Sequence, residues 1–142
     1  MVQLVLEKGF HLEDLKDYTL LVVDDEEMLR KSIVMDLQRK GFTVLSAENG
    51  GRALELVKIN KVDLVISDVR MPGGDGLKLL EDIRVQAPKL PVFIFLTGYS
   101  DIREEDVIAK GATKILAKPF ERKVLMALIY QSLGIDFVEP KF

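Results

Sequence analysis

The sequence contains no cysteine, which excludes disulfides, thiolate zinc sites and cysteine nucleophiles and fits a reducing, cytoplasmic setting. Histidine occurs once, as His11, far along the chain from the acid-rich segments. A histidine-based metal site or a Ser-His-Asp triad would have to be built around that single residue. No apolar run approaches the ~20 residues that a membrane-spanning helix requires, so no membrane span is expected. The opening "MVQLVLEKGFHLEDLKD" has no basic start leading into a long apolar stretch, and a secretory signal is not supported. Positive charge is not in excess either. With a formal net charge of −3 and Lys and Arg scattered along the chain, direct nucleic acid binding is not expected.

What is present is an ordinary globular balance: 142 residues, 48% apolar and 30% charged. One core usually serves roughly 100 to 200 residues, so the simplest organisation is one domain. There are no internal repeats or low-complexity tracts.

From residue 19 onward, short apolar runs alternate with helical patterns, the rhythm of a parallel sheet with crossover helices. The strand candidates are "LLVVD" (20–24), "FTVLSA" (42–47), "DLVISD" (63–68), "PVFIFLT" (91–97) and "TKILAK" (113–118); most are apolar on both faces, as buried parallel strands should be. Between them, Leu29, Ile33 and Leu37 mark a helix over 26–40 that Gly41 should stop. Asn49 and Gly50 open a second helix carrying Leu54 and Val57, and residues 75–86 form a third, closed by Pro88. Ser100 or Asp101 is expected to cap a short acidic fourth helix ending at Gly111, and Pro119 to start a fifth running to about Leu133. Five strands and five helices in this order suit an α/β, flavodoxin-like (βα)5 doubly wound parallel sheet of strand order 2-1-3-4-5. The expected division is an N-terminal extension over 1–18, the domain over 19–134 and a tail over 135–142. "HLEDLKDY" reads as a helical turn leading in.

Ligands of open parallel sheets bind at the carboxyl ends of the strands. Strand 1 ends in Asp24 and Asp25, strand 3 in Asp68, strand 4 in Thr97 and strand 5 in Lys118, and in the order 2-1-3-4-5 these strands are neighbours. Any one of these residues alone is explained by a helix cap, a turn or a solvated loop. Independent caps, however, have no reason to set three carboxylates, a hydroxyl and an ammonium around one cleft. The run Asp24-Asp25-Glu26-Glu27 also needs something to relieve its mutual repulsion, and solvent, a helix N-terminus and a cation are the alternatives. Glu26 and Glu27 are expected in the first turn of helix 1, where negative charge meets the helix dipole, worth about 0.3 to 1 kcal/mol.

"VVDDEE", "DLVISDVRMPGGDGL", "FLTGYS" and "AKPF", in that order and spacing, resemble the receiver domain of bacterial two-component response regulators over roughly residues 19–134. The resemblance implies that Asp68 is the phosphoacceptor, taking a phosphoryl group from a histidine kinase or a histidine phosphotransfer protein. It implies Mg²⁺ held directly by Asp25 and Asp68, through water by Asp24, and by the backbone carbonyl of Arg70. A hard dication of this kind is bound by oxygen ligands and assists phosphoryl transfer by neutralising charge. Lys118 is expected to pair with a carboxylate and then with the phosphoryl group, and Thr97 to donate its hydroxyl. Gly98 would leave the neighbouring N–H unobstructed, and Pro119 would fix the Lys118 loop through a cis bond. Gly73, Gly74 and Gly76 are expected to let the loop after Asp68 turn sharply.

In the family, phosphorylation changes a protein-protein surface formed by helix 4, strand 5 and helix 5, and an aromatic residue of strand 5 turns inward. This chain has Ile115 at that position, so a ring-based readout is not available there, and Tyr99 is the substitute candidate for switching or for controlling water access. Helix 5, "ERKVLMALIYQSL", carries apolar residues on more than one face. That width suggests a homodimer or partner contact through helix 5, joined by the segment Val2 to Leu6; the alternative is that residues 1–18 fold over helix 5 and cover it.

The expected role is a switch acting on a downstream protein, either stand-alone or cut from a longer regulator, and not a turnover enzyme. The rivals are a Mg²⁺-dependent phosphohydrolase with an Asp nucleophile, a flavodoxin-type cofactor carrier and a pseudo-receiver that binds without accepting phosphate. A phosphohydrolase would want an acid two residues after Asp68, where Arg70 stands. A flavodoxin-type phosphate loop would be rich in Ser, Thr and Gly, where "DDEEM" would repel a phosphate.

Overall fold

The computed structural model describes residues 14–71, 75–98 and 103–135. A 3₁₀ turn at Leu15–Asp17 leads into β1 (Thr19–Val23), α1 (Glu27–Lys40), β2 (Thr43–Ala47), α2 (Gly50–Ile59), β3 (Leu64–Asp68), α3 (Gly76–Gln86), β4 (Val92–Thr97), α4 (Glu104–Ala109), β5 (Lys114–Ala117) and α5 (Arg122–Leu133). All strand pairs are parallel and the order is β2-β1-β3-β4-β5, the doubly wound arrangement that the alternating pattern predicts.

The strand runs are apolar on both faces because helices cover both. Leu21, Val23, Val65, Phe93 and Phe95 point to the side covered by α2, α3 and α4 through Ala53, Leu56, Leu79, Leu80, Ile83 and Val107. Leu20, Val22, Leu64, Ile66, Ile94 and Leu96 point to the other side, covered by α1 and α5 through Ile33, Leu37, Leu125 and Ile129. Every residue of β3 and β4 is buried, whereas the edge strands β2 and β5 are partly exposed, as expected where only central strands have neighbours on both sides. Packing continues to both ends of the described chain: Leu15 and Ile135 are buried in the α1/α5 side of the core.

The register sets the functional edge. Val23 lies opposite both Ala47 and Ser67, Asp68 opposite Leu96, and Thr97 opposite Ala117. The carboxyl ends of the four strands β1, β3, β4 and β5 are therefore level, and the residues that follow emerge side by side.

Several local expectations hold. Gly41 ends α1 at φ 110° with its N–H bonded to the carbonyls of Gln38 and Leu37, and Asn49 caps α2 by accepting the Arg52 N–H. Asp75 caps α3 by accepting the Lys78 N–H. Others need correction. α5 begins at Arg122 with Glu121 as its N-cap, not at Pro119; Pro119 follows a cis bond to Lys118, and Phe120 first turns inward to pack on the core. α4 starts at Glu104 with Arg103 as N-cap, later than the expected cap at Ser100 or Asp101, which lie outside the described residues. Glu26 is the N-cap of α1 and makes no side-chain cap bond, so only Glu27 stands in the first turn. A second cis bond, Leu90–Pro91, lies just before β4. Tyr99, Gly73, Gly74, Val2 to Leu6 and the tail from 136 lie outside the described residues.

Gly76 also differs from expectation. Its φ is not positive, so it is not there to bend the chain. A Cβ at this position would stand 2.1 Å from the backbone oxygen of Asp68, a distance no side chain tolerates. The residue is glycine because the first turn of α3 lies directly on the end of β3.

Candidate functional site

Asp24, Asp68, Thr97 and Lys118 meet at the level carboxyl edge. Asp24 leaves β1 directly, its N–H still bonded to the Ala47 carbonyl at 3.2 Å. One carboxylate oxygen of Asp24 accepts the Glu26 N–H at 2.9 Å, while Arg30 of α1 donates to the Asp24 backbone carbonyl at 2.7 Å. The backbone of Asp24 is thus held by the next helix. Lys118 is aligned by the sheet, since its N–H donates to the Thr97 carbonyl at 2.8 Å.

The Lys118 ammonium donates to Asp68 Oδ2 at 3.1 Å and to Asp24 Oδ2 at 3.3 Å. Asp24, Asp68 and Thr97 are buried, with 1%, 7% and 5% of their surfaces exposed, and Asp25 is exposed beside them. Carboxylate oxygens of Asp24, Asp25 and Asp68 all lie within 4.8 Å of one another. Three carboxylates against one ammonium leave an excess of negative charge. Burial pushes the Asp24 carboxyl above its ordinary value, and the nearby Asp68 adds to the rise, against the Glu26 amide and Lys118, which act to lower it. Burial pulls on the Lys118 ammonium in the opposite sense, but the hydrogen bond to Asp68 and the charges of Asp24 and Asp68 outweigh it and leave its pKa raised.

The donor set suits a hard divalent cation. Asp68 Oδ1 is buried and has no hydrogen-bond partner among the described residues, an orphaned acceptor of the kind that native interiors rarely leave without a purpose. It sits in a cluster offering only oxygen ligands, the chemistry that Mg²⁺ or Ca²⁺ selects and that Zn²⁺ with its preference for Cys and His does not.

The expected site residues thus divide. Asp24, Asp25, Asp68 and Lys118 are brought into one cluster, and Thr97 ends the strand next to it. Arg70 is exposed two residues beyond Asp68. Gly98 is exposed, and a Cβ there would meet nothing within 4 Å, so the space beside Thr97 is open among the described residues. Ile115 is partly buried against the core under α4, opposite Phe95 in the sheet. Two participants were missed. Glu26, expected to be structural only, places Oε1 3.8 Å from Lys118 Nζ, and Arg30 holds Asp24 through its carbonyl. The spacing from Asp24 to Arg30 carries one turn of α1, but nothing in the sequence says that the side chain turns back.

A doubly wound sheet with this acid-lysine edge defines a class, and the sequence comparisons agree with it. The response regulator receiver domain profile matches residues 20–130; this chain belongs to that family. Over 114 residues it is 37% identical to the DNA-binding transcriptional regulator NtrC of Escherichia coli strain K12, which covers 80% of this chain and 24% of that protein. It is 38% identical over 118 residues to the sensor kinase CckA of Brucella abortus, covering 81% of this chain and 12% of that protein. This chain therefore spans about a quarter or less of the length of these relatives. The receiver domain of the Francisella response regulator 1452 superposes with a TM-score of 0.77 at 25% identity, over 82% of this chain and 97% of that one. None of the described helices is long and apolar enough to cross a membrane.

Proposed function

We propose that the chain is a phosphorylation-controlled signalling switch in which Asp68 accepts a phosphoryl group from the phosphohistidine of a histidine kinase or a histidine phosphotransfer protein. The observation that carries this is the state of the Asp68 carboxylate. One oxygen is held by Lys118 and the other is buried without a partner among the described residues, at the edge where Asp24 and Asp25 gather.

In the forward step a carboxylate oxygen of Asp68 attacks phosphorus, the P–N bond to the donor imidazole breaks, and its electron pair leaves with the ring nitrogen. Lys118 keeps the nucleophile aimed and its charge offsets that of the incoming group. Thr97, at the end of β4, supplies a hydroxyl to a phosphoryl oxygen. Asp25, Asp68, Asp24 and the Arg70 carbonyl would hold Mg²⁺, which when bound would supply charge neutralisation. Attack of water on the same phosphorus returns Asp68 and inorganic phosphate, so the chain resets without acting as a turnover enzyme.

The switch is read out by a downstream protein, or by a second copy through α5, at the surface of α4, β5 and α5. Val124 of α5 is 40% exposed while Leu125 and Ile129 are buried, so part of the helix remains available for contact. With Ile115 in β5, the response to phosphate takes a form other than a ring moving inward. Tyr99, two residues past Thr97 in sequence, is the candidate modulator. The setting proposed is the cytoplasm, where phosphohistidine donors and Mg²⁺ are at hand.

Incubation with Mg²⁺ and acetyl phosphate followed by intact-mass measurement tests the proposal. The wild type should gain one phosphoryl group and Asp68→Asn none. Equal gain in both proteins would remove Asp68 from the role.

A further inference from the structure

We infer that Ser67 and Gly76 form a clamp that positions the phosphoacceptor, an inference that rests on the role of Asp68 proposed above. Two successive carbonyls at the end of β3 are each held by one donor. The Ser67 hydroxyl, fully buried, donates to the Asp68 carbonyl at 2.8 Å. The Gly76 N–H at the start of α3 donates to the Val69 carbonyl at 2.8 Å. Both clamping residues also meet at the Asp68 carbonyl: a Cβ on Gly76 would lie 2.1 Å from that oxygen, 2.9 Å from Ser67 Oγ and 2.8 Å from the ring of Phe95.

The contact therefore has a backbone part that no rotamer change can relieve. A side chain at position 76 must either push α3 off the sheet or rotate the peptide that follows Asp68, and that rotation swings the Asp68 Cα–Cβ bond. It also moves the chain toward Arg70. Lys118 holds one oxygen of Asp68 and the second has no partner among the described residues, so a single side-chain contact is left to restore the aim once the backbone turns. A misplacement of about 1 Å at a reacting group can lower a rate by about a hundredfold. Ser67 and Gly76 touch neither phosphorus nor metal; they act through Asp68.

The test uses the 142-residue chain with the substitutions Gly76→Ala and Ser67→Ala, and Gly51→Ala as a glycine control on α2. Rates of phosphoryl gain from acetyl phosphate are measured by intact mass at saturating Mg²⁺, at a temperature where circular dichroism shows each variant fully folded. The rise in melting temperature caused by Mg²⁺ alone is recorded in parallel. Gly76→Ala should lower the maximal rate by about tenfold or more with the half-saturating donor concentration unchanged, and should shrink the Mg²⁺-induced rise. Ser67→Ala, which adds no atoms, should lower the maximal rate by about three- to tenfold. Gly51→Ala should behave as the wild type.

A maximal rate within twofold of wild type in either clamp variant overturns the inference. So does a loss that appears only in the half-saturating concentration. If Gly76→Ala does not fold, Ser67→Ala decides by the same twofold line. If the wild type gains no phosphoryl group, the proposed function fails, and the clamp is then judged on the Mg²⁺-induced rise: a rise in Ser67→Ala equal to that of the wild type overturns it.

Discussion

Lys118 lies 3.1 Å from Asp68 across fifty residues of sequence, and the same ammonium reaches Asp24 at 3.3 Å. One cation thus bridges the ends of β1 and β3 from the end of β5. The geometry follows from the register, because the Lys118 N–H continues the ladder through the Thr97 carbonyl. Its consequence is a buried pair of like charges with a shared counterion. In metal-free buffer, Lys118→Met should destabilise the domain by about 1 to 3 kcal/mol, the range for hydrogen bonds to charged groups together with the unpaired charges left behind. Added Mg²⁺ should recover more stability in the variant than it adds to the wild type, since the remaining carboxylates have no competing cation. Urea unfolding with and without Mg²⁺ measures both effects. A smaller Mg²⁺ effect in the variant would mean that Lys118 organises the metal site and does not compete with it.

Asp24 gives a pH dependence of defined sign. Burial raises its folded pKa above the ordinary 3.8, so the native state binds this proton more tightly than the unfolded chain does. Its contribution to stability is fully present below the unfolded pKa and is lost as pH rises through the folded pKa. Asp24→Asn, neutral at every pH, should be more stable than the wild type at neutral pH without metal, and its advantage should fade as pH falls toward 3.8. Paired urea titrations across that interval, in the presence of a chelator, read the difference and cancel the carboxylates that lie away from Asp24. A constant difference would assign the effect to packing.

Mg²⁺ itself should stabilise the fold, by about 2.7 kcal/mol at a hundred times its dissociation constant. Asp25 separates this linkage from folding. Its side chain is exposed, so Asp25→Asn should change metal-free stability by no more than about 0.5 kcal/mol, yet it removes one of the three clustered carboxylates and should abolish most of the Mg²⁺-induced rise in melting temperature. A variant that keeps the full rise would show that the ion sits elsewhere.

The strands and their order were legible because a buried parallel sheet demands long apolar runs and places its polar residues at one end. Asp24, Asp68, Thr97 and Lys118 were found by that rule alone. What was not legible depends on which residues meet across the fold. Gly76 looks like any loop glycine until α3 is seen resting on the Asp68 carbonyl. Glu26 looks like a helix-dipole residue until Lys118 arrives from β5. The start of α5 was misplaced because a proline before a helix reads as its first residue, whereas Phe120 is first drawn into the core. Arg84 reads as one more polar residue of α3, since nothing local shows that it reaches the Gly111 carbonyl 27 residues on as well as the connection that follows its own helix.

The two helix-ending glycines should differ in how they tolerate a side chain. Gly41 has φ 110° and a Cβ there would make ordinary contact with Leu15 at 3.6 Å, while Gly134 has φ 71° with nothing within 4 Å. The second lies near the left-handed well that alanine can occupy for about 1 kcal/mol, and the first lies outside it. Gly41→Ala should therefore cost about 2 kcal/mol and Gly134→Ala about 1 kcal/mol in urea unfolding. Equal losses would mean that the backbone at Gly41 relaxes on substitution.

Arg84 ties the amino end of β4 to the turns around it. Its guanidinium donates to the carbonyls of Gly111 at 2.9 Å, Pro91 at 2.8 Å and Ala87 at 3.3 Å, and burial lowers its pKa. These carbonyls belong to the turn after α4, the start of β4 and the end of α3. A lysine has one point of donation and cannot span all three. Arg84→Lys should thus destabilise the domain by about 1 to 2 kcal/mol, and Arg84→Ala by about 2 to 4 kcal/mol as the carbonyls lose their partner. Because Gly111 stands in the turn between α4 and β5, amide hydrogen exchange should rise most at residues 107–114 in both variants, while the β1 and β3 amides keep their wild-type protection. Uniform acceleration across the sheet would instead show that Arg84 supports the fold as a whole and not the position of α4.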